Sequence, residues 1–211
     1  MDSTNWGWFA GCTNLEEITL PRQITRINAY GFQNCSSLTT INLDRIEYID
    51  QYGLQRCSSI TSLVFNAGIN LGPEACGQMT SLTSVEFKGD VTGSKYNIFK
   101  DCSQLSTVIF DGTVTNLPGS IFSGRSTIQS IDLSNVTGYS TDGYQFHSCS
   151  ALTSVTLNSS LTSLPRNLFS YCGAMTITIP ATVTSIGDEC FKNTSLISLT
   201  VLATTPPTLG T

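Results

Sequence analysis

The apolar side chains of this sequence recur in a fixed order, and that order repeats along the whole chain. The segments 9–20 and 32–43 share the pattern F-x-x-C-[ST]-x-L-x-x-I-x-L. We call its first position the anchor. It returns every 22 to 24 residues, at Phe9, Phe32, Leu54, Cys76, Phe99, Phe122, Phe146, Phe169 and Phe191. A period of this length is typical of a solenoid built from stacked coils.

Within each repeat, apolar residues two positions apart predict short strands. Ile18 and Leu20 show this spacing, and a second apolar pair follows, such as Ile24 and Ile27. The intervening segments are rich in Gly and Ser and shorter than the roughly 10–12 residues of a typical helix. The sequence therefore predicts a mainly β repeat protein of about nine coils with little or no α-helix. Each coil has a strand, a turn, a second extended segment and another turn.

One coil cannot fold alone, because ordering it costs roughly 1–2 kcal/mol per residue and its apolar side chains need neighbours to cover them. We therefore expect residues 9–211 to form a single solenoid whose last coil is truncated. Residues 1–8 are interpreted as an N-terminal cap or an expression remnant. Trp6 and Trp8 are candidates to close the first coil, and Pro206-Pro207 to end the last.

Composition narrows the range of partners. Only 12% of residues are charged, and the formal net charge is −5 with a pI near 4.7. A nucleic-acid partner is unexpected, because phosphate binding needs a basic face. No apolar run approaches the roughly 18–20 residues of a membrane helix, so direct membrane insertion is not expected. The first six residues have neither the basic nor the apolar region of an export signal.

Six of the eight cysteines share one repeat position, three residues after the anchor: Cys12, Cys35, Cys57, Cys102, Cys149 and Cys172. This spacing predicts a structural column of small, buried, reduced side chains. At least one disulfide is the alternative, since coils stacked roughly 5 Å apart would allow a bridge. The sequence has no C-x-x-C pair and a single histidine, so neither a metal site nor another cofactor is expected.

One coil departs from the pattern. Arg125 stands where most repeats have cysteine, and a buried unpaired charge is costly. Two arrangements would avoid that cost: the turn opens to water, or Arg125 pairs with Asp101 or Asp142. The repeat beginning at Phe122 is also the longest, and residues 136–144 are interpreted as a loop inserted before the next anchor.

Catalysis is not predicted. His147 follows an anchor at a variable position that is expected to face solvent, and the nearby Cys149 belongs to the buried column, so a Cys/His dyad is poorly supported. Glu86 and Asp132 share a repeat position but lie two coils apart, roughly 10 Å by coil spacing. That separation is near the one glycosidases use, but no flanking pattern supports such a site.

Strand alternation turns polar positions outward and defines the candidate partner-binding residues. On the first strands these are Glu17, Thr40, Asn42, Val64, Glu86, Ile109 and Asp132. Tyr30, Tyr52 and Tyr144 share a turn position two residues before the anchor, and the first two are expected to stack. The alternative interpretations are that threonine simply suits an exposed strand and that these tyrosines pack their own loops.

The repeat resembles that of the BspA-like (treponeme-type) leucine-rich repeat proteins. Residues 172–191 and the closing segment 203–210 carry the resemblance, together with a cysteine that precedes the strand, where commoner leucine-rich repeats place Asn or Cys after it. The resemblance implies a curved right-handed solenoid on the bacterial cell surface or outside the cell. It implies a non-catalytic module that binds a host or bacterial protein or a glycan. The alternative is a spacer for another domain, nine coils or roughly 45 Å long. The oligomeric state is left open.

Overall fold

The computed structural model describes residues 7–94 and 96–210, and these ranges contain strands and turns but no helix. In chain order the strands are β1 (Glu17–Ile18), β2 (Arg26–Ile27), β3 (Thr40–Ile41), β4 (Tyr48–Ile49), β5 (Ser62–Phe65), β6 (Ile69–Leu71), β7 (Ser84–Phe87), β8 (Val91–Gly93), β9 (Thr107–Phe110), β10 (Ser130–Leu133), β11 (Ser154–Leu157), β12 (Ser163–Leu164), β13 (Thr176–Ile179), β14 (Ser185–Ile186), β15 (Ser198–Val201) and β16 (Thr208–Leu209). All strand pairs are parallel and join neighbouring coils. The fold is a parallel β-solenoid of about nine coils, as the sequence predicted.

The first strand of each coil lies on one side of the solenoid. These strands form three parallel sheets: β1–β3, β5–β7–β9 and β10–β11–β13–β15. Alternate side chains point into the core, so that β5, β9 and β10 each show exposed and buried residues in turn. We call the outward side of these nine strands the strand face.

The second extended segment of each coil lies on another side. Two sheets form here, β2–β4–β6–β8 and β12–β14–β16. Between them, isolated parallel bridges join Val114 to Val136 and Leu117 to Tyr139. The interpretation of 136–144 as an inserted loop was therefore wrong for its first half, since Val136 and Tyr139 continue this side of the stack. The added residues are confined to the turn that follows.

Stacked phenylalanines occupy the core. Neighbouring anchor rings lie parallel, with centroids 5.6 Å apart between Phe99 and Phe122 and between Phe122 and Phe146. Where the anchors are Leu54 and Cys76, the aromatic rings come instead from strand ends, as at Phe87. The ring of Phe87 contacts four others: Phe65, Phe99, Phe110 and Phe122. From the coil of Leu54 onward, the aromatic column thus continues from Phe65 through Phe87 to Phe99 and Phe122.

The turn that carries each anchor uses left-handed backbone twice, two residues before and two residues after the anchor, in all nine coils. Most of these positions are not glycine, although the conformation costs an ordinary residue roughly 1–2 kcal/mol. It lets alternate N–H groups point along the stack. Tyr30, Phe32 and Asn34 each donate to a carbonyl of the next coil, at 2.8 to 3.0 Å. The same three bonds recur in the first four coils and in the sixth to eighth coils, where this ladder offsets the strain.

The two ends of the described solenoid differ, since the first coil packs on the core whereas the strands of the last coil are exposed. Trp8 and Phe9 are partly buried against the core, whereas Trp6, the other predicted cap residue, lies outside the described residues. Pro206-Pro207 does not end the array, because β16 follows it and pairs with β14. The two prolines occupy the turn before that strand, where a missing N–H costs no ladder hydrogen bond.

Candidate binding surfaces

The strand face brings two exposed apolar side chains close together. Val64, Glu86 and Ile109 are consecutive in one row, since β5 pairs with β7 and β7 with β9 in that register. Val64 is 47% exposed and Ile109 is 46% exposed. We call Val64, Glu86, Lys88, Ile109 and Asp111 the central patch. It joins apolar area to polar groups, a composition common in protein-binding surfaces.

A lysine that the sequence did not single out connects the central patch. Lys88 Nζ lies 2.9 Å from Asp111 Oδ2 and also donates to Glu86. These hydrogen bonds, to Asp111 first and then to Glu86, raise the pKa of the Lys88 ammonium to about 12. Lys88 lies one residue after the end of β7, so the alternation of side chains along the strand did not predict it as a binding residue.

The remaining strand-face candidates have local partners or lie away from the central patch. Asn42 accepts a hydrogen bond from the Leu20 N–H at 2.6 Å and donates to the Leu20 carbonyl at 3.2 Å. Asp132 accepts from the N–H of Ser134 at 2.9 Å. Glu17 and Thr40 face each other at the first two coils. The side chain of Asn42 therefore connects the first coil to the second. The central patch is the stronger candidate for a binding surface.

The three predicted tyrosines do not form one site. Tyr30 and Tyr52 contact each other with ring centroids 5.2 Å apart and planes tilted by 41°. Tyr144 lies several coils away, beside His147, whose ring centroid is 5.4 Å from its own. All three tyrosines have left-handed backbone. Their shared position thus reflects one recurring turn geometry.

Around Tyr144 the structure contains a concave surface that we call the turn cleft. It has a volume of about 470 Å³ and is lined by Glu74, Tyr96, Asn97, Lys100, Ser120, Asp142, Tyr144 and Arg166. Of these residues, only Tyr144 was a candidate partner-binding residue from the sequence pattern. The others come from turns of neighbouring coils that the solenoid brings together.

Unequal turn lengths create the turn cleft. The number of residues from the end of the second extended segment to the next anchor differs among the coils. The anchor comes five residues later over 117–122, six residues later over 93–99 and seven residues later over 139–146. The two longer turns stand on either side of the shorter one, which contributes Ser120. Tyr96 and Tyr144 lie on the two longer turns, and Tyr96 is 64% exposed.

One ion pair, two hydrogen bonds and a cation–π contact order the walls of the turn cleft. Lys100 Nζ lies 3.1 Å from Glu74 Oε1, a hydrogen bond that raises the pKa of the lysine. Gln55 donates to the other oxygen of Glu74 at 3.0 Å. On the opposite wall, the Arg166 guanidinium lies 5.5 Å from the ring centroid of Tyr144 and donates to the Asp142 carbonyl at 3.3 Å.

The single histidine packs between aromatic rings. His147 has Tyr144 on one side and Tyr171 on the other, with centroids 5.4 and 5.3 Å away, both edge-on. Its Nδ1 lies 2.7 Å from the hydroxyl of Ser170, which donates to the carbonyl of Asn167. Partial burial lowers the pKa of the imidazole. Because Ser170 is fully buried, this His–Ser contact holds the turn and gives no accessible nucleophile.

The predicted cysteine column makes a regular set of hydrogen bonds. Five of its thiols donate to the carbonyl of the anchor one coil back, at 3.0 to 3.2 Å: Cys35, Cys57, Cys102, Cys149 and Cys172. The remaining member, Cys12, is exposed at the first coil, and all eight cysteines are free. The column therefore supplies donors as well as small side chains.

Arg125 takes over this hydrogen bond. Its Nη1 donates to the Phe99 carbonyl at 2.7 Å and its Nε to the Ser123 carbonyl at 3.3 Å, while the residue stays 8% exposed. Both arrangements expected from the sequence were therefore wrong, because Arg125 neither opens to solvent nor uses Asp101 or Asp142. Backbone carbonyls of its own and the preceding coil satisfy the guanidinium.

We expect one thiol of the folded protein to react with a thiol reagent at mildly alkaline pH. Burial raises the pKa of Cys102 to about 11 and of Cys57 to about 12, so their reactive thiolate is scarce. Cys12 alone among the eight is exposed. Mass spectrometry after brief alkylation measures the result, with Cys12→Ser as the control. Fewer than eight reactive thiols in the denatured, unreduced protein would contradict the free cysteines.

The described residues contain neither a group of three or more potential metal-ligating side chains nor a helix able to cross a membrane. The BspA type leucine rich repeat region model matches residues 4–105 and 70–198. No curated protein is significantly similar to the chain.

Solved structures with a similar fold come from bacterial leucine-rich repeat proteins. One from Bacteroides ovatus has 25% identity and a TM-score of 0.75, and the match covers 98% of this chain and 54% of that one. One from Eubacterium ventriosum has 24% identity and a TM-score of 0.54, covering 85% of this chain and 43% of that one. This chain therefore spans about half the length of the solved proteins it matches.

Proposed function

Because the chain belongs to the BspA-type leucine-rich repeat family, we propose that it is the recognition part of a bacterial surface protein and binds a partner protein through the strand face. Repeat proteins of this kind present an extended surface built from equivalent positions of successive coils. The partner class is a protein of the host matrix or of another cell surface. No catalytic step is part of the proposal.

The central patch is the observation that carries this proposal. Val64 and Ile109 expose apolar side chains on either side of Glu86, on strands held in fixed register. A rigid sheet loses little conformational entropy on binding, so contacts made there convert efficiently into affinity. Thr and Ser dominate the surrounding rows, which leaves this patch as the apolar centre of a polar surface.

The test measures binding of the folded chain to an array of purified extracellular-matrix proteins, compared with the double variant Val64→Ser/Ile109→Ser. We expect binding to at least one protein and a loss of tenfold or more in the double variant, about what removing central apolar contacts costs. The matched control is Tyr48→Ser, which removes an exposed side chain from β4, on another side of the solenoid.

Two outcomes would contradict the proposal. Equal loss in the control and the double variant would place the interface elsewhere. Complete lack of binding by folded protein would instead favour the spacer, which needs no partner on its surface. Thermal unfolding of each variant shows that the protein is folded, since exposed substitutions usually change stability by less than about 0.5 kcal/mol.

A further inference from the structure

We propose that the turn cleft binds a neutral carbohydrate, accommodating one or two sugar rings against Tyr96 between the walls formed by Glu74 and Lys100 on one side and Asp142, Tyr144 and Arg166 on the other. This site is distinct from the strand face. It extends the proposed recognition function to a second class of partner, and it stands on its own geometry.

The shape of the turn cleft favours a small ligand. Its volume of about 470 Å³ falls within the roughly 300–1,000 Å³ typical of small-molecule sites. Its two raised walls are separated by the single short turn of Ser120, so they lie two coils, or roughly 10 Å, apart. A flat protein surface would meet the walls and leave the floor uncovered, whereas a sugar chain fits between them.

Most backbone N–H groups of the residues lining the turn cleft are already engaged, which disfavours an extended peptide. The N–H groups of Glu74, Ser120 and Tyr144 each donate to a carbonyl of the next coil, at 3.1 to 3.3 Å. A peptide that adds a strand needs unpaired backbone donors and acceptors. Recognition in the turn cleft therefore relies on side chains, and these present hydroxyl, carboxamide, carboxylate and guanidinium groups.

These side chains suit hydroxyl groups. Carboxylate and carboxamide oxygens accept hydrogen bonds from hydroxyls, while the guanidinium and the Asn97 amide donate to them. Among the described residues that line the turn cleft, Arg166 and Lys100 balance the charges of Glu74 and Asp142, so these four groups have no net charge. An anionic ligand would need an excess of basic groups, so the balance favours an uncharged one.

Tyr96 supplies the apolar surface. Tyr96 is 64% exposed, so its ring lies outside the core at the edge of the turn cleft. Aromatic rings give sugar C–H faces a flat apolar surface, while the phenol hydroxyl remains able to form hydrogen bonds. On the opposite wall Tyr144 is held by the Arg166 guanidinium and by His147. One tyrosine is thus an exposed platform and the other a fixed wall.

The experiment is an NMR chemical-shift titration of the ¹⁵N-labelled chain with lactose, cellobiose, maltotriose, mannotriose and xylotriose, with 3′-sialyllactose as the anionic counterpart of lactose. We expect saturable shifts near Tyr96, Ser120 and Tyr144 with at least one neutral sugar. Tyr96→Ala is expected to weaken that binding about tenfold or more, as loss of a central aromatic contact does. The matched control Tyr48→Ala removes another exposed tyrosine, on β4 and outside the turn cleft, and is expected to leave the affinity unchanged.

Three results would overturn the proposal: no shifts at the turn cleft with any neutral sugar, shifts only with sialyllactose, or full affinity retained in Tyr96→Ala. Tyr96 is so exposed that its loss leaves the fold intact, and the amide spectrum of the variant verifies this. The strand-face variants bind sugar normally if both proposals hold. Failure of one proposal is thereby distinguishable from failure of the other.

Discussion

Replacing Phe87 with alanine is expected to lower the free energy of unfolding by about 3–5 kcal/mol, the usual cost of deleting a buried phenylalanine. Phe87 is fully buried at the end of β7, and its ring contacts the rings of Phe65, Phe99, Phe110 and Phe122. Together with Phe87, these rings span four consecutive coils. The cavity left by the substitution would therefore interrupt the aromatic column in the middle of the stack.

The location of this loss matters in a solenoid, because each coil contacts mainly its neighbours. A defect in the middle uncouples the two halves, whereas one at an end removes only the last contacts. Phe191 provides the comparison, since it is partly buried and its ring contacts Phe169. Phe191→Ala is expected to lower the free energy of unfolding by at most about half as much as Phe87→Ala, because Phe191 buries less apolar area.

Urea unfolding and thermal unfolding, both followed by circular dichroism, measure the free energy of unfolding and the melting temperature of both variants. For a chain of this size, the central change should lower the melting temperature by roughly 6–20 °C. It should also broaden or split the transition, because the halves then unfold less cooperatively. Equal effects of Phe87→Ala and Phe191→Ala would contradict the assignment of Phe87 as the centre of the aromatic column.

The repeat was readable from the sequence because each coil must present the same apolar residues to its neighbours. Phe32, Cys35 and Leu38 face the core for that reason, and all three are fully buried. The left-handed turn positions were not readable. Tyr52, Glu74 and Gln78 occupy them, and none has the local preference for positive φ that glycine would have shown. Hydrogen bonds between coils hold them there, and such bonds are not visible in local sequence.

The turn cleft could be only partly predicted for a related reason. The length of the repeat beginning at Phe122 marked one wall, but its extra residues lie in the turn and not at Val136. The other wall depends on one added residue before Phe99, a difference within the normal variation of the repeat. Only the stacked structure shows that two longer turns lie on either side of a shorter one.

Tyr139 departs from the repeat pattern in a way that is expected to lower the stability of the protein. It stands where neighbouring coils have Leu117 and Leu164, and its hydroxyl is buried without a hydrogen-bond partner among the described residues. Burial raises the pKa of this phenol well above its usual range. The same coil contains Gln145, whose Oε1 is also buried without a partner there, although its Nε2 donates to the carbonyls of Leu117 and Ser140.

Removing this hydroxyl is therefore expected to stabilise the protein. Tyr139→Phe keeps the ring and removes the hydroxyl. On folding this hydroxyl loses its hydrogen bonds to water and gains none from the protein, and such an unsatisfied buried group costs about 1–3 kcal/mol. We expect the free energy of unfolding to rise by about 1–2 kcal/mol and the melting temperature by roughly 2–8 °C. Chemical unfolding and thermal unfolding of the variant beside the parent chain measure the two changes.

Tyr171→Phe is the matched control, because that residue is 45% exposed whereas the hydroxyl of Tyr139 is buried. It should change stability by less than about 0.5 kcal/mol. Loss of stability in Tyr139→Phe would show that the hydroxyl forms a hydrogen bond in solution, and the predicted cost would then be wrong. A gain confined to Tyr139→Phe would show that a solenoid tolerates an unsatisfied polar group in one coil, because the contacts of neighbouring coils hold that coil in place.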